Sequence, residues 1–169
     1  QLMLHHASHF NGILEQNSEV RLAYAVAQKV AAEDAETTAL AWSLFAQARP
    51  LLNCASDAAA AVETTCQQRV ARSLRALGHG EHEATQNAHR ALIERLERWD
   101  GLGLPEGKQG SDIAISTQVL LLTEQLLDWW ESGISDSDIA VRLKDERGRY
   151  YSPKFLDVVI KFLPELRTI

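Results

Sequence analysis

The chain has 169 residues, 46% of them hydrophobic and 24% charged, which are the proportions of an ordinary globular domain. Its formal net charge is −6 and its 17 Lys and Arg form no basic stripe. This argues against nucleic acid as a partner, because neutralising phosphates takes clustered cations. No apolar run reaches the roughly 18 residues of a membrane-spanning helix.

The sequence opens on "QLMLHH" rather than on Met, and no signal-peptide pattern is present, so it reads as a cytoplasmic piece of a longer protein. Cys54 and Cys66 are too few and too far apart for a zinc knuckle. Both lie in Ala-rich helical sequence and read as small packed thiols in a reducing compartment.

Helix signals follow one another along the chain. In "NSEVRLAYAVAQKVAAED", Asn17 or Ser18 can cap a helix whose apolar face carries Val20, Ala23, Ala27 and Val30. "AETTALAWSLFAQARPLL" repeats the pattern with Leu40, Leu44, Ala48 and Leu51, and Pro50 should end or kink it. Ser56 is placed to cap a third helix that stops at Gly78. After "GHGEH", a further helix is expected to run to about Trp99.

A loop spans Asp100 to about Gly110, and Ser111 or Asp112 is expected to cap the helix of "IAISTQVLLLTEQLLDWWES", which ends near Gly133. Glu124, Gln125 and Asp128 give that greasy stretch a polar face. "SDSDIAVRLKDERG" reads as a short amphipathic helix. "YSPKFLDVVIKFL" starts a last helix with Ser152 as cap and Pro153 in the first turn. No segment alternates as a strand, no fixed-period repeat occurs, and no low-complexity linker divides the chain. The expectation is one all-α domain over 1–169, a bundle of about seven helices.

Six histidines raise a metal hypothesis. His5, His6 and His9 lie at the chain start and read as a solvated or partner-facing helix. His79, His82 and His89 could ligate a metal with Glu81 or Glu83, but Gly80 loosens the local geometry. Glu94, Glu97 and Asp100 could do acid–base work; interleaved with Arg90, Arg95 and Arg98, they read more simply as a charged, solvated helix face with a Glu94–Arg98 pair. The loop "DGLGLPEGKQG" is different. Its glycines and proline specify a defined backbone path.

"ERWDGLGLPEGKQGSDIAISTQVLLLTEQLL" resembles the second half of an HD-GYP domain, a helical, metal-dependent phosphohydrolase family acting on cyclic di-GMP. The family string is His-His-Glu-x-x-Asp-Gly-x-Gly-Tyr-Pro. Here it is matched by Arg95, Leu96, Glu97, Arg98, Trp99, Asp100, Gly101, Leu102, Gly103, Leu104 and Pro105. The family's tail is similar to "YSPKFLDVVIKFL", so the resemblance covers about residues 94–163.

The departures matter as much as the match. Arg95 and Leu96 stand for the tandem histidines, and Leu104 for the tyrosine. Gln118 stands for an arginine, and Glu124 for a metal-binding aspartate. Upstream, Ser18 and Arg21 stand at a His and an Arg. Phe45, Ala46 and Arg49 stand at the His, Asp and Lys of the family's His-Asp-x-Gly-Lys, and Gln67 or Gln68 at a further His. The resemblance implies an iron or manganese centre. These replacements imply its loss, because Phe45, Ala46 and Leu96 cannot ligate and Arg95 repels cations. Apolar replacements would instead fill the vacated cavity.

Three readings follow. The first is an inactive HD-GYP-like regulatory module without catalytic or metal residues or cofactor, in bacterial signalling. It would contact a diguanylate cyclase domain or its own receiver domain through Arg95, Arg98, Trp99, Asp100, Gly101, Gly103, Pro105 and Lys108, and could oligomerise. The second is a phosphodiesterase taking iron or manganese from His79, His82, His89 and Glu124. The third is a sensor binding cyclic di-GMP through Arg95, Arg98 and Lys108 without cleaving it.

Overall fold

The computed structural model describes residues 10–49 and 83–169. Helical turns at 10–16 lead into α1 (Ser18–Val30) and α2 (Ala35–Ala48). α3 (Glu83–Ile93), α4 (Ile115–Glu131), α5 (Asp136–Glu146) and α6 (Pro153–Arg167) follow. The described residues are all-helical. Their extended pairings are three isolated bridges, Leu96 with Leu104, Asp100 with Gln109 and Arg147 with Tyr151. No described helix is long and apolar enough to cross a membrane.

Local chemistry sets several helix ends. The Asn17 side chain accepts from the N–H groups of Glu19 and Val20, a cap of about 1 kcal/mol. Ser135 caps α5 through the N–H of Asp138. α2 ends at Ala48, just before Pro50, as the sequence suggests. α6 begins on Pro153. Ser152 does precede α6 as its N-cap, but its side chain makes no capping bond. Instead its N–H donates to Oε1 of buried Gln118, at 2.9 Å.

Two starts and stops depart from the sequence reading. Ser111 and Asp112 do not cap α4; they form a 3-10 turn, Gly110–Asp112, and α4 starts after Ala114. The helix expected to reach Trp99 stops at Ile93. The chain turns there because Glu94 and Glu97 point inward and find partners on the following loop. The helix and cap expected around Ser56 and Gly78 lie outside the described residues.

α4 sits between two apolar clusters. Leu120 joins Trp42, Phe45, Ala88 and Leu92 on one side. Val119, Leu122 and Leu126 join Ile139, Leu143, Phe155, Leu156, Val159 and Leu163 on the other. Each fully buried Leu or Phe contributes about 1.5–3 kcal/mol of transfer free energy, so α4 helps hold both clusters together. Arg21 ties the first turns to this frame, donating from Nη1 to the carbonyls of Leu14 and Glu15. The polar face of α4 and the turn after α3 meet beside the loop at 94–110, and that meeting forms the site.

Candidate functional site

The loop is built around two buried carboxylates. Glu97, 6% exposed, accepts from the backbone N–H of Glu106 at 2.7 Å and of Lys108 at 2.8 Å, one on each oxygen. Glu94, 2% exposed, accepts from Lys108 Nζ at 2.7 Å and Thr117 Oγ1 at 2.9 Å. The carboxylate raises the basicity of the Lys108 ammonium. The solvated helix face expected for Glu94 and Glu97 is therefore wrong. A buried charge needs compensation, and the loop supplies it. The expected Glu94–Arg98 pair gives way to Arg98–Asp100.

The glycines have separate jobs. Gly101 adopts φ +78°, which lets Asp100 accept from the N–H of Leu102. Gly103 runs so close to the backbone of Leu96, Glu97 and Arg98 that a Cβ would collide with it. That approach allows the Leu104 N–H to donate to the Leu96 carbonyl at 2.9 Å. The Leu104–Pro105 bond is cis. The other flank is fastened to the α5–α6 connection: Asp100 N–H donates to Arg149 O, and the Arg98 guanidinium stacks 4.5 Å from the Tyr150 ring centre. Desolvation pushes the Asp100 carboxyl up, but the Leu102 N–H, Arg98 and Arg149 together hold it below the usual carboxylate range. Trp99 is half-buried, its N–H on Tyr150 O, and borders a cleft of about 560 Å³ with Asp100 and Gln109.

Beside the loop start, two guanidiniums meet one carboxylate. Arg95 Nη2 is 3.1 Å and Arg49 Nη1 3.6 Å from the same oxygen, Oε1, of Glu124. Burial pushes the Glu124 carboxyl up, and the two arginines oppose it. A cavity of about 280 Å³ opens here, lined by Arg95, Glu124, Gln125, Asp128, Glu146 and Tyr151 among others. Within it Tyr151 donates to Gln125, which donates to Oε1 of Glu146. Oε2 of Glu146 is buried without a partner, and burial raises that carboxyl too.

An iron or manganese centre does not fit this arrangement. Phe45, where the resemblance places a histidine, is buried against Trp42 with ring centres 5.6 Å apart. Arg95, at another histidine position, already occupies the carboxylate of Glu124 with a positive charge. Among the described residues no three His, Cys, Asp or Glu side chains gather as a metal-binding group. His79 and His82 lie outside the described residues; His89 is half-buried on α3, and burial lowers its basicity.

The chain is similar in sequence to the 3'3'-cGAMP-specific phosphodiesterase 2 of Vibrio cholerae serotype O1. The two are 25% identical over 112 residues, which cover 61% of this chain and 21% of that protein. The chain thus spans about a fifth of the relative's length. No family model matches it. The similarity supports a relationship of HD-GYP type, and the all-helical architecture agrees with an HD-like domain.

Against that relationship, the other replaced positions can be placed. Leu96 does not fill a vacated cavity as expected: it is 68% exposed, and Leu102 and Leu104 are 74% and 63% exposed. The bridge between Leu96 and Leu104 directs both to the surface. Arg98 and Lys108 do not join Arg95, because Arg98 is held on Asp100 and Lys108 on Glu94. The sequence pointed to Glu124 and Arg49 separately but not to their pairing. It gave Gln125 only as part of a polar helix face and carried no signal for Thr117 or Glu146; their partners lie more than 20 residues away.

Proposed function

We propose that this domain is a non-hydrolysing module of cyclic-dinucleotide signalling that acts by binding a protein partner through the loop at 96–105. The observation that carries the reading is the exposure of Leu96, Leu102 and Leu104 on a loop whose backbone is fastened from below. Exposed leucines are normal singly, but three on one rigid loop make a preorganised apolar surface. Pro105, Trp99 and the Gly101–Gly103 turn give that surface its shape, and Arg98, Asp100 and Lys108 are its support.

Loss of hydrolysis is argued from the replaced positions. Water activation at a bi- or trinuclear centre needs several imidazoles and carboxylates. Here Phe45 stands at one histidine position and Arg95 at another, where it pairs with Glu124. The partner in this reading is a diguanylate cyclase domain or the receiver domain of the parent protein.

The test is a titration of this domain against a purified diguanylate cyclase domain and against the parent's receiver domain. The expected result is saturable binding to one of them, weakened at least about tenfold (1.4 kcal/mol) by combined Leu96→Ser, Leu102→Ser and Leu104→Ser. Equal affinity of the triple variant and the unaltered chain, or no binding to either, overturns the reading.

A further inference from the structure

We infer that the guanidiniums of Arg95 and Arg49 are a built-in substitute for a metal centre: they hold Glu124 and make the domain's fold independent of divalent cations. The inference deepens the non-hydrolysing reading and rests on it. Its own ground is the geometry around Glu124.

Three separate pieces of the chain converge there. Arg49 caps the end of α2, Arg95 lies in the turn leaving α3, and Glu124 is in the middle of α4. Both guanidiniums approach the same oxygen, at 3.1 and 3.6 Å. Glu124 is only 16% exposed in its side chain, and its carboxyl is disfavoured as an anion by burial. Left alone there, a carboxylate would be costly. The neighbouring negative charge is Asp128, which acts on Glu124 across one helical turn. Both guanidiniums converge on one Glu124 oxygen, and a metal cation approaching that carboxylate would meet two fixed positive charges.

Chemistry distinguishes this from a metal clip. A guanidinium is always charged, and its planar donors are fixed to the chain. A metal clip adds stability that grows with free metal and disappears with a chelator. The arginine pair adds stability that neither condition changes. It also sets the start of the exposed loop, since Leu96 follows Arg95 directly. Losing the pair would loosen the leucine surface as well as α4.

The test is thermal unfolding of the full chain with EDTA, with MnCl2, and with ferrous iron under anaerobic conditions. The expected midpoints agree within about 1 °C, whereas Arg95→Met lowers the midpoint by roughly 2–4 °C. Adding Glu124→Gln to Arg95→Met should restore part of that loss, because the exposed need for a counter-ion is gone. If Arg95→Met does not fold, Arg95→Lys serves: it keeps the charge and loses the fork, and should fall between the two. A rise of more than about 4 °C with manganese or iron, or an Arg95→Lys midpoint equal to that of the unaltered chain together with an additive double variant, overturns the inference. Metal stabilisation without hydrolysis would sink the arginine-pair inference and spare the proposed function. Hydrolysis without metal stabilisation would do the reverse.

Discussion

Lys108 Nζ lies 2.7 Å from Oε1 of Glu94, a carboxylate with only 2% of its surface exposed, so one loop cation neutralises the charge at which α3 ends. Thr117 on α4 holds the other oxygen. Lys108→Met should leave Glu94 half-satisfied and cost about 1–3 kcal/mol, toward the low end because the lysine is partly solvated. Thr117→Val removes a neutral donor and should cost about 1 kcal/mol or slightly more. Urea unfolding of the two variants measures both, and the order Lys108→Met above Thr117→Val is the expected outcome.

Glu97 should govern the loop rather than the core. Its two oxygens each take one backbone N–H, so Glu97→Gln puts an amide NH2 against a donor and loses one of the bonds. Hydrogen exchange should show the amides of Glu106 and Lys108 losing protection by about tenfold or more. Amides in α6 should keep theirs.

Two glycines should respond differently to alanine. Gly110 has φ +58° and open space around it, so Gly110→Ala carries only the left-handed penalty of about 1–2 kcal/mol. At Gly103 a Cβ meets backbone on three sides, and backbone cannot rotate away. Gly103→Ala should therefore cost more than Gly110→Ala and shift the NMR signals of Leu96 to Arg98.

Glu146 gives a pH dependence with a defined sign. Burial raises its carboxyl above the ordinary value of 4.5, so the folded state holds the proton more tightly than the unfolded chain does. Stability from this group is present at low pH and is lost as pH rises from about 4.5 through the folded value. Glu124 shifts in the same direction. Glu146→Gln keeps an acceptor for Gln125 and removes the unpartnered oxygen charge. It should raise the unfolding midpoint at pH 7 by on the order of 2 °C, and the gain should shrink toward pH 4.

How much of this was legible in the sequence depended on the range of the interaction. Asn17 was readable as a cap because a cap is settled within three residues. The Asp100–Gly103 turn was readable because glycine spacing encodes backbone path locally. The inward turn of Glu94 and Glu97 was not. Their partners sit 9–23 residues on, and the alternation with arginines mimics a solvated helix. The exposure of Leu96 was missed for a related reason: the pairing with Leu104 depends on Gly103 touching the chain beneath it. The Arg49–Glu124–Arg95 cluster joins residues 29 and more apart, and neither member's own neighbourhood announces it.

If the scaffold persists without its hydrolytic chemistry, cyclic-dinucleotide turnover should be absent. Purified protein should be incubated with cyclic di-GMP and with 3'3'-cGAMP, each with manganese and with anaerobic ferrous iron, and the linear products quantified. No product should form above the rate of the protein-free control. Metal-dependent turnover that exceeds that background and scales with protein concentration would contradict it.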